Sequence, residues 1–156
     1  QGAAAGAGMS IALSTDLAIA ADNAIFTLAY AKLGASPDGS SSWTLPRLVG
    51  LRKAMEIALL SEVYDAAEAL RLGLVNRVVP AAELAAETDK LARRLAAGPT
   101  GAFGKMKKLL RSSLDASLHD QLAAEARAFG ECIPTADFAE GVDAFLNKRT
   151  ATFGGK

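Results

Sequence analysis

One cysteine and one histidine occur in 156 residues, so neither finds a second thiol or imidazole. Cys132 alone makes no internal disulfide, and Cys132 with His119 does not complete a His/Cys metal set, which excludes a disulfide scaffold and structural zinc. No charge is in excess either: 17 Lys+Arg stand against 17 Asp+Glu, with a pI near 6.8. A chain without a basic stripe has nothing to hold a phosphate backbone, and nucleic acid is not an expected partner. Apolar runs are short. The opening from Gly2 to Leu13 lacks a basic segment before it, is cut by Gly6 and Gly8, and is followed by Asp16 and Asp22. Neither a signal peptide nor a membrane span is expected, and the cytoplasm is the default location. There is also no initiator Met: Gln1 runs straight into Gly-Ala-Ala-Ala-Gly-Ala-Gly, which reads as entry into a buried loop by a chain that has lost its N-terminal part.

What remains is a 51% hydrophobic sequence with balanced charge, the composition of one soluble globular domain. Met9 to Leu13 reads as the start of a short buried helix. Leu17 to Ala20 and Ala24 to Leu28 read as strands separated by an Asp22-Asn23 turn. Gly34 to Ser42 is rich in breakers, and a helix is expected from Ser42 or Trp43 with Pro46 in its first turn. Gly50 then closes or bends it before a helix over Leu51 to Leu60. Asp65 suits the N-cap of a helix from Ala66 to Leu72, and Leu74 to Val79 reads as a strand stopped by Pro80. Helical patterns fill Ala82 to Ala97, Thr100 to Leu109, Leu118 to Cys132 and Ala136 to Lys148.

The candidate chemistry is sparse. Gly6-Ala7-Gly8 before a helix offers either backbone N–H groups for an anion or room for a helix to pack on a strand. It is not a dinucleotide fingerprint, because the third glycine and a preceding strand are both lacking. Asp38, in Pro37-Asp38-Gly39, is either a surface turn residue or a lone carboxylate in an otherwise uncharged loop beside a helix start. Burial and the helix N-terminus pull such a carboxylate in opposite directions, and if the latter keeps it ionised in a dry pocket it serves as base or nucleophile. Ser10 and Tyr30 carry hydroxyls with no adjacent base in the sequence. His119 reads as a solvated or capping residue and Cys132 as a small core residue. Lys105, Lys107, Lys108 and Arg111 read as a solvated helix face, with phosphate binding as the alternative.

Four ordered motifs carry a resemblance. They are Gly2-Ala3-Ala4-Ala5-Gly6-Ala7-Gly8-Met9-Ser10, Asp16-Leu17-Ala18-Ile19-Ala20-Ala21, Ser36-Pro37-Asp38-Gly39-Ser40-Ser41-Ser42-Trp43 with Leu45-Pro46-Arg47-Leu48-Val49-Gly50, and Ala67 and Leu70 leading into Gly73-Leu74-Val75-Asn76-Arg77-Val78-Val79. With a closing Phe145-Leu146-Asn147-Lys148-Arg149 and Phe153, the chain resembles the crotonase (enoyl-CoA hydratase/isomerase) superfamily. Its nearest likeness there is to the ring isomerases of phenylacetyl-CoA breakdown.

The resemblance implies an α/β fold. Residues 1–98 correspond to the C-terminal part of a ββα spiral core, lacking an N-terminal portion of about 100 residues. Residues 99–156 correspond to a helical region that covers CoA and joins subunits into a homotrimer or a dimer of trimers. It further implies that the Ala7 N–H is one of two oxyanion donors for an acyl-CoA thioester, the other lying in the missing N-terminal half. Ser10 and Tyr30 stand where hydratases carry two Glu, and Asp38 stands where isomerases carry their base. Gly8 and Trp43 join Ser10 and Tyr30 as substrate-binding positions, while Phe145 and Lys148 match CoA-binding ones. No metal or cofactor beyond the substrate's own coenzyme A is implied. The same resemblance leaves open a hydratase, a 4-chlorobenzoyl-CoA dehalogenase-like enzyme with Asp38 as nucleophile, a naphthoate-synthase-like ring closure, and a non-catalytic CoA-binding, trimerising fragment.

Overall fold

The computed structural model describes residues 1–156 and divides into two compact units, Gln1–Thr88 and Asp89–Lys156. The first unit begins with a strand that composition hides. β1 (Ala3–Ala5) is three alanines, residues of low strand preference, yet it lies parallel to β3 (Ile25–Thr27) with Ala3 opposite Ile25 and Ala5 opposite Thr27. The Ile25 N–H reaches the Gly2 carbonyl and the Gly6 N–H reaches the Thr27 carbonyl, both at 3.0 Å, so the ladder is extended at each end. Parallel neighbours need a crossover, which α1 (Ala7–Leu13) and β2 (Ile19–Ala21) supply. Gly2 to Gly8 is therefore not a loop, and Gly6-Ala7-Gly8 does follow a strand. The absent third glycine still separates it from a dinucleotide fingerprint.

β4 (Tyr64–Asp65) pairs antiparallel to β3, giving a sheet ordered β1-β3-β4, and β2 pairs parallel with β5 (Arg77–Val79) in a second sheet. β5 is shorter than the Leu74 to Val79 expected, because Leu74 and Val75 are buried in the core without pairing there. Asn76 closes the approach instead: its N–H bonds the Ala18 carbonyl at 2.8 Å and its Oδ1 accepts the Ala18 N–H at 2.8 Å.

α2 (Ser41–Val49) starts before Ser42, which puts Pro46 in its second turn rather than its first. The carbonyl that Pro46 leaves without a partner belongs to Ser42, an exposed residue whose C=O can meet water. Gly50, at φ +78°, turns the chain into α3 (Leu51–Leu60). Asp65 caps α4 (Ala66–Arg71) as expected, accepting the Glu68 N–H at 2.8 Å. Met9 and Leu13 of α1 meet Phe26, Leu28, Leu45, Ile57 and Leu74 in one core. Full burial of side chains such as Met9 and Ile57 contributes about 1.5–3 kcal/mol each.

The division between the units falls within α5 (Leu84–Ala96). The second unit contains α6 (Thr100–Ser112), α7 (Leu118–Gly130) and α8 (Ala136–Leu146). Ser117 and Thr135 cap the last two by accepting the Asp120 and Phe138 N–H groups, each at 3.1 Å. Phe129 and Phe138 meet edge to face at 5.9 Å, and the Gln121 amide donates to the Leu109 carbonyl at 3.2 Å. The C-terminal residues fold back on α8, where Asp137 accepts the Gly154 and Gly155 N–H groups at 2.7 and 2.9 Å. No helix is long and apolar enough to cross a membrane.

Candidate active site

Three short segments of the first unit converge on one small polar cluster. Ser10, fully buried on α1, lies three residues after Ala7 and so on the same helix face. The Ser10 N–H makes the first bond of the helix, to the Gly6 carbonyl at 3.1 Å, which leaves the Ala7 and Gly8 N–H groups without intrahelical acceptors. Both of those residues are exposed. The Ser10 Oγ is 3.3 Å from the Gly6 carbonyl and 3.4 Å from the Tyr30 hydroxyl.

Tyr30 opens a 3₁₀ turn, Tyr30–Leu33, entered through Ala29 in the left-handed conformation at φ +56°. Its N–H is held by the Leu28 carbonyl at 2.7 Å, and its phenol donates a hydrogen bond to Asp38 Oδ1. Asp38 begins a tight turn in which its carbonyl accepts the Ser41 N–H at 3.2 Å and the Ser41 Oγ at 2.9 Å. Gly39 at φ +59° and Ser40 at φ +73° supply the two positive φ angles that a type I′ turn requires. Gly39 is needed for space as well, since a Cβ there would stand 2.9 Å from the Ser10 Cβ.

Two expectations change with this geometry. Asp38 is exposed rather than enclosed in a dry pocket, and its carboxylate faces Tyr30, while only its backbone carbonyl meets the start of α2. Tyr30 is not without an adjacent base, because the fold brings Asp38 to it across eight residues. Sequence reading gave these residues separate roles and missed the hydrogen bond joining them.

Trp43 does not enter the cluster. It is exposed on α2, with the Arg47 guanidinium 3.9 Å over its ring centroid and donating to its carbonyl at 3.0 Å. An apolar cavity of about 200 Å³, unforeseen in the sequence, lies beside the Asp38 turn and is lined by Leu28, Pro37, Ser41, Leu45 and Met55, among others.

Phe145 and Lys148 belong to the second unit. Phe145, 83% exposed at the end of α8, lines a larger apolar cavity of about 390 Å³ with Phe138, Val142 and Phe153. Lys148 follows in the left-handed conformation at φ +52°, its N–H on the Phe145 carbonyl at 3.3 Å. Cys132, half-buried, lines the same cavity. His119 is solvated, with its side chain 93% exposed, and the cap of its helix is Ser117. Lys105 is paired with Glu131, and their hydrogen bond raises the lysine above its ordinary range and lowers the carboxyl. The basic face of α6 is thus partly neutralised. No group of three or more His, Cys, Asp or Glu stands close enough to hold a metal ion.

The geometry can be set beside known proteins. A family model described as Enoyl-CoA hydratase/isomerase matches residues 1–156. A Rhodobacter capsulatus protein named "Probable enoyl-CoA hydratase" is 45% identical over all of this chain and 61% of its own length. The 1,2-epoxyphenylacetyl-CoA isomerase of Escherichia coli is 41% identical over all of this chain and 60% of its own. The crystal structure of an enoyl-CoA hydratase from Polaromonas superposes with a TM-score of 0.93 at 38% identity, over 99% of this chain and 60% of that one. The fold is accordingly the α/β crotonase fold with a helical C-terminal region, and the chain spans about 60% of the length of the relatives it matches. By a match that runs from its first residue to its last, the chain belongs to the enoyl-CoA hydratase/isomerase family.

Proposed function

We propose that these residues carry the base-bearing part of an acyl-CoA isomerase. Asp38 Oδ2 takes a proton from the carbon beside the enoyl group. The C–H electron pair moves into the conjugated system and the thioester oxygen becomes an enolate oxyanion. The Ala7 N–H, exposed at the start of α1, donates to that oxygen. A second donor comes from residues outside these 156. Asp38, now protonated, returns the proton at the far carbon, so one carboxylate performs both transfers and no cofactor is consumed. The coenzyme A belongs to the substrate, with Phe145 and Lys148 against it. The helical region from residue 99 onward joins copies as a trimer or a dimer of trimers.

The observation that carries this reading is that the Ser10–Tyr30–Asp38 cluster holds a single carboxylate. Adding water across a double bond needs one group to activate the water and another to supply the proton, and serine and phenol hydroxyls are poor bases near neutral pH. A hydratase remains the second reading, favoured by the name of the 45% identical relative. Incubating the whole protein with a 3-enoyl-CoA in D₂O separates the two. Deuterium in the acyl chain with double-bond migration is expected, and water addition to a 2-enoyl-CoA without exchange on the 3-enoyl isomer would contradict the isomerase reading.

A further inference from the structure

We propose that Tyr30 is the positioning residue for the Asp38 base and that Ser10 is the second link behind it. This rests on Asp38 being the base. An aspartate on an exposed turn has two free torsions and two equivalent oxygens, and proton transfer requires one oxygen at one place. The Tyr30 phenol holds Oδ1, which fixes the carboxylate plane and leaves Oδ2 as the oxygen that receives and returns the substrate proton. The hydrogen bond to Oδ1 can persist through both transfers, because the proton travels on the other atom.

The anchor is itself anchored. With its only proton given to Asp38, the Tyr30 oxygen can only accept from the Ser10 hydroxyl at 3.4 Å, which shares its one proton between that oxygen and the Gly6 carbonyl at 3.3 Å and is fully buried on a helix. The turn carrying Asp38 presses on the same serine through Gly39, where no side chain fits. Ala29, non-glycine at φ +56°, precedes Tyr30, and a left-handed residue of that kind persists only where surrounding contacts enforce it. Ser10 therefore ties the oxyanion end of α1, the phenol and the base-bearing turn to one point. The two hydroxyls placed where hydratases have carboxylates thus hold the one carboxylate that reacts.

The test uses the whole protein, with kcat and KM for deuterium exchange into a 3-enoyl-CoA and the affinity for a non-reactive thioether analogue. For Tyr30→Phe the expected result is a fall in kcat of roughly ten- to hundredfold, the scale of a hydrogen bond to a charged group, with KM and analogue affinity within about twofold of the parent. The double variant Tyr30→Phe/Asp38→Asn should be no slower than Asp38→Asn alone, and Ser10→Ala should slow the parent but not Tyr30→Phe. A Tyr30→Phe enzyme that keeps the parent kcat overturns the positioning role. One that is as inactive as Asp38→Asn overturns it too, since the phenol would then be a proton-carrying group. If Tyr30→Phe does not fold, Ser10→Ala decides: an unchanged kcat overturns the proposal. Retained exchange in Asp38→Asn would instead sink the base assignment on which all of this stands.

Discussion

At the scale of single residues, function and stability pull apart in places that can be measured. Lys148 sits in the left-handed region that glycine or asparagine occupies more easily after a helix. Replacing it with glycine is expected to stabilise the protein by about 1 kcal/mol while weakening acyl-CoA binding, and thermal melts with titrations read both. A destabilised variant with unchanged affinity would contradict the proposed contact of Lys148 with coenzyme A. Ala7→Pro is the sharper change, because proline is accepted at a first helical position yet deletes the N–H assigned to the oxyanion. It should fold and lose about 10²–10³ in kcat. The Tyr64 hydroxyl is buried without a partner, and burial pushes its ionisation upward. Tyr64→Phe should therefore leave the melting temperature unchanged or raise it. Of these residues the sequence marked Ala7, Lys148 and Asp38, since each lies inside a motif. It did not mark the bond between Tyr30 and Asp38, which exists only because a left-handed Ala29 and a glycine-serine turn aim the two side chains at each other.

Elements were legible where local signals decide them. Asp65 caps the helix that follows, as its position suggested, and the proline and serine breaks separate α5 to α8 close to where the pattern sets them. Strands were harder to read, for a physical reason. β1 is all alanine and exists through its ladder with β3, a long-range term that no window contains, and the two-residue β4 is equally dependent on its partner. The C-terminal strap offers a prediction at this scale. Glu140 accepts from Arg149 at 2.6 Å and from the Thr152 N–H at 2.7 Å, and these bonds lower its carboxyl from 4.5 to about 2. A lowered carboxyl stabilises the fold above its unfolded value and loses that contribution as pH falls through the folded one. Hydrogen exchange at Thr152 should thus accelerate as pH drops from 4.5 toward about 2, beyond the intrinsic trend. Equal protection across that window would place the strap's stability elsewhere, in the Asp137 bonds to Gly154 and Gly155.

For the whole molecule, the family was readable because four motifs occur in order along the chain, and the matched model confirms that membership. The reaction was less readable, since hydratases and isomerases share the fold and differ in a few side chains. Large apolar side chains also stand open: Leu33 at 80%, Leu118 at 75% and Phe145 at 83% exposure. A surface of this kind is normally covered. The 156 residues expressed alone should self-associate or bind a hydrophobic dye, as read by light scattering and fluorescence. A dispersed, dye-free monomer would contradict the proposal that the helical region from residue 99 onward joins copies.

The central claim is that Asp38 is the base, and its most direct test is deuterium exchange into a 3-enoyl-CoA by the whole protein and its Asp38→Asn variant. The account predicts a loss of about 10²–10⁴ in the exchange rate, with affinity for a non-reactive acyl-CoA analogue intact. Exchange within a few-fold of the parent would contradict it and move the proton transfer to another group.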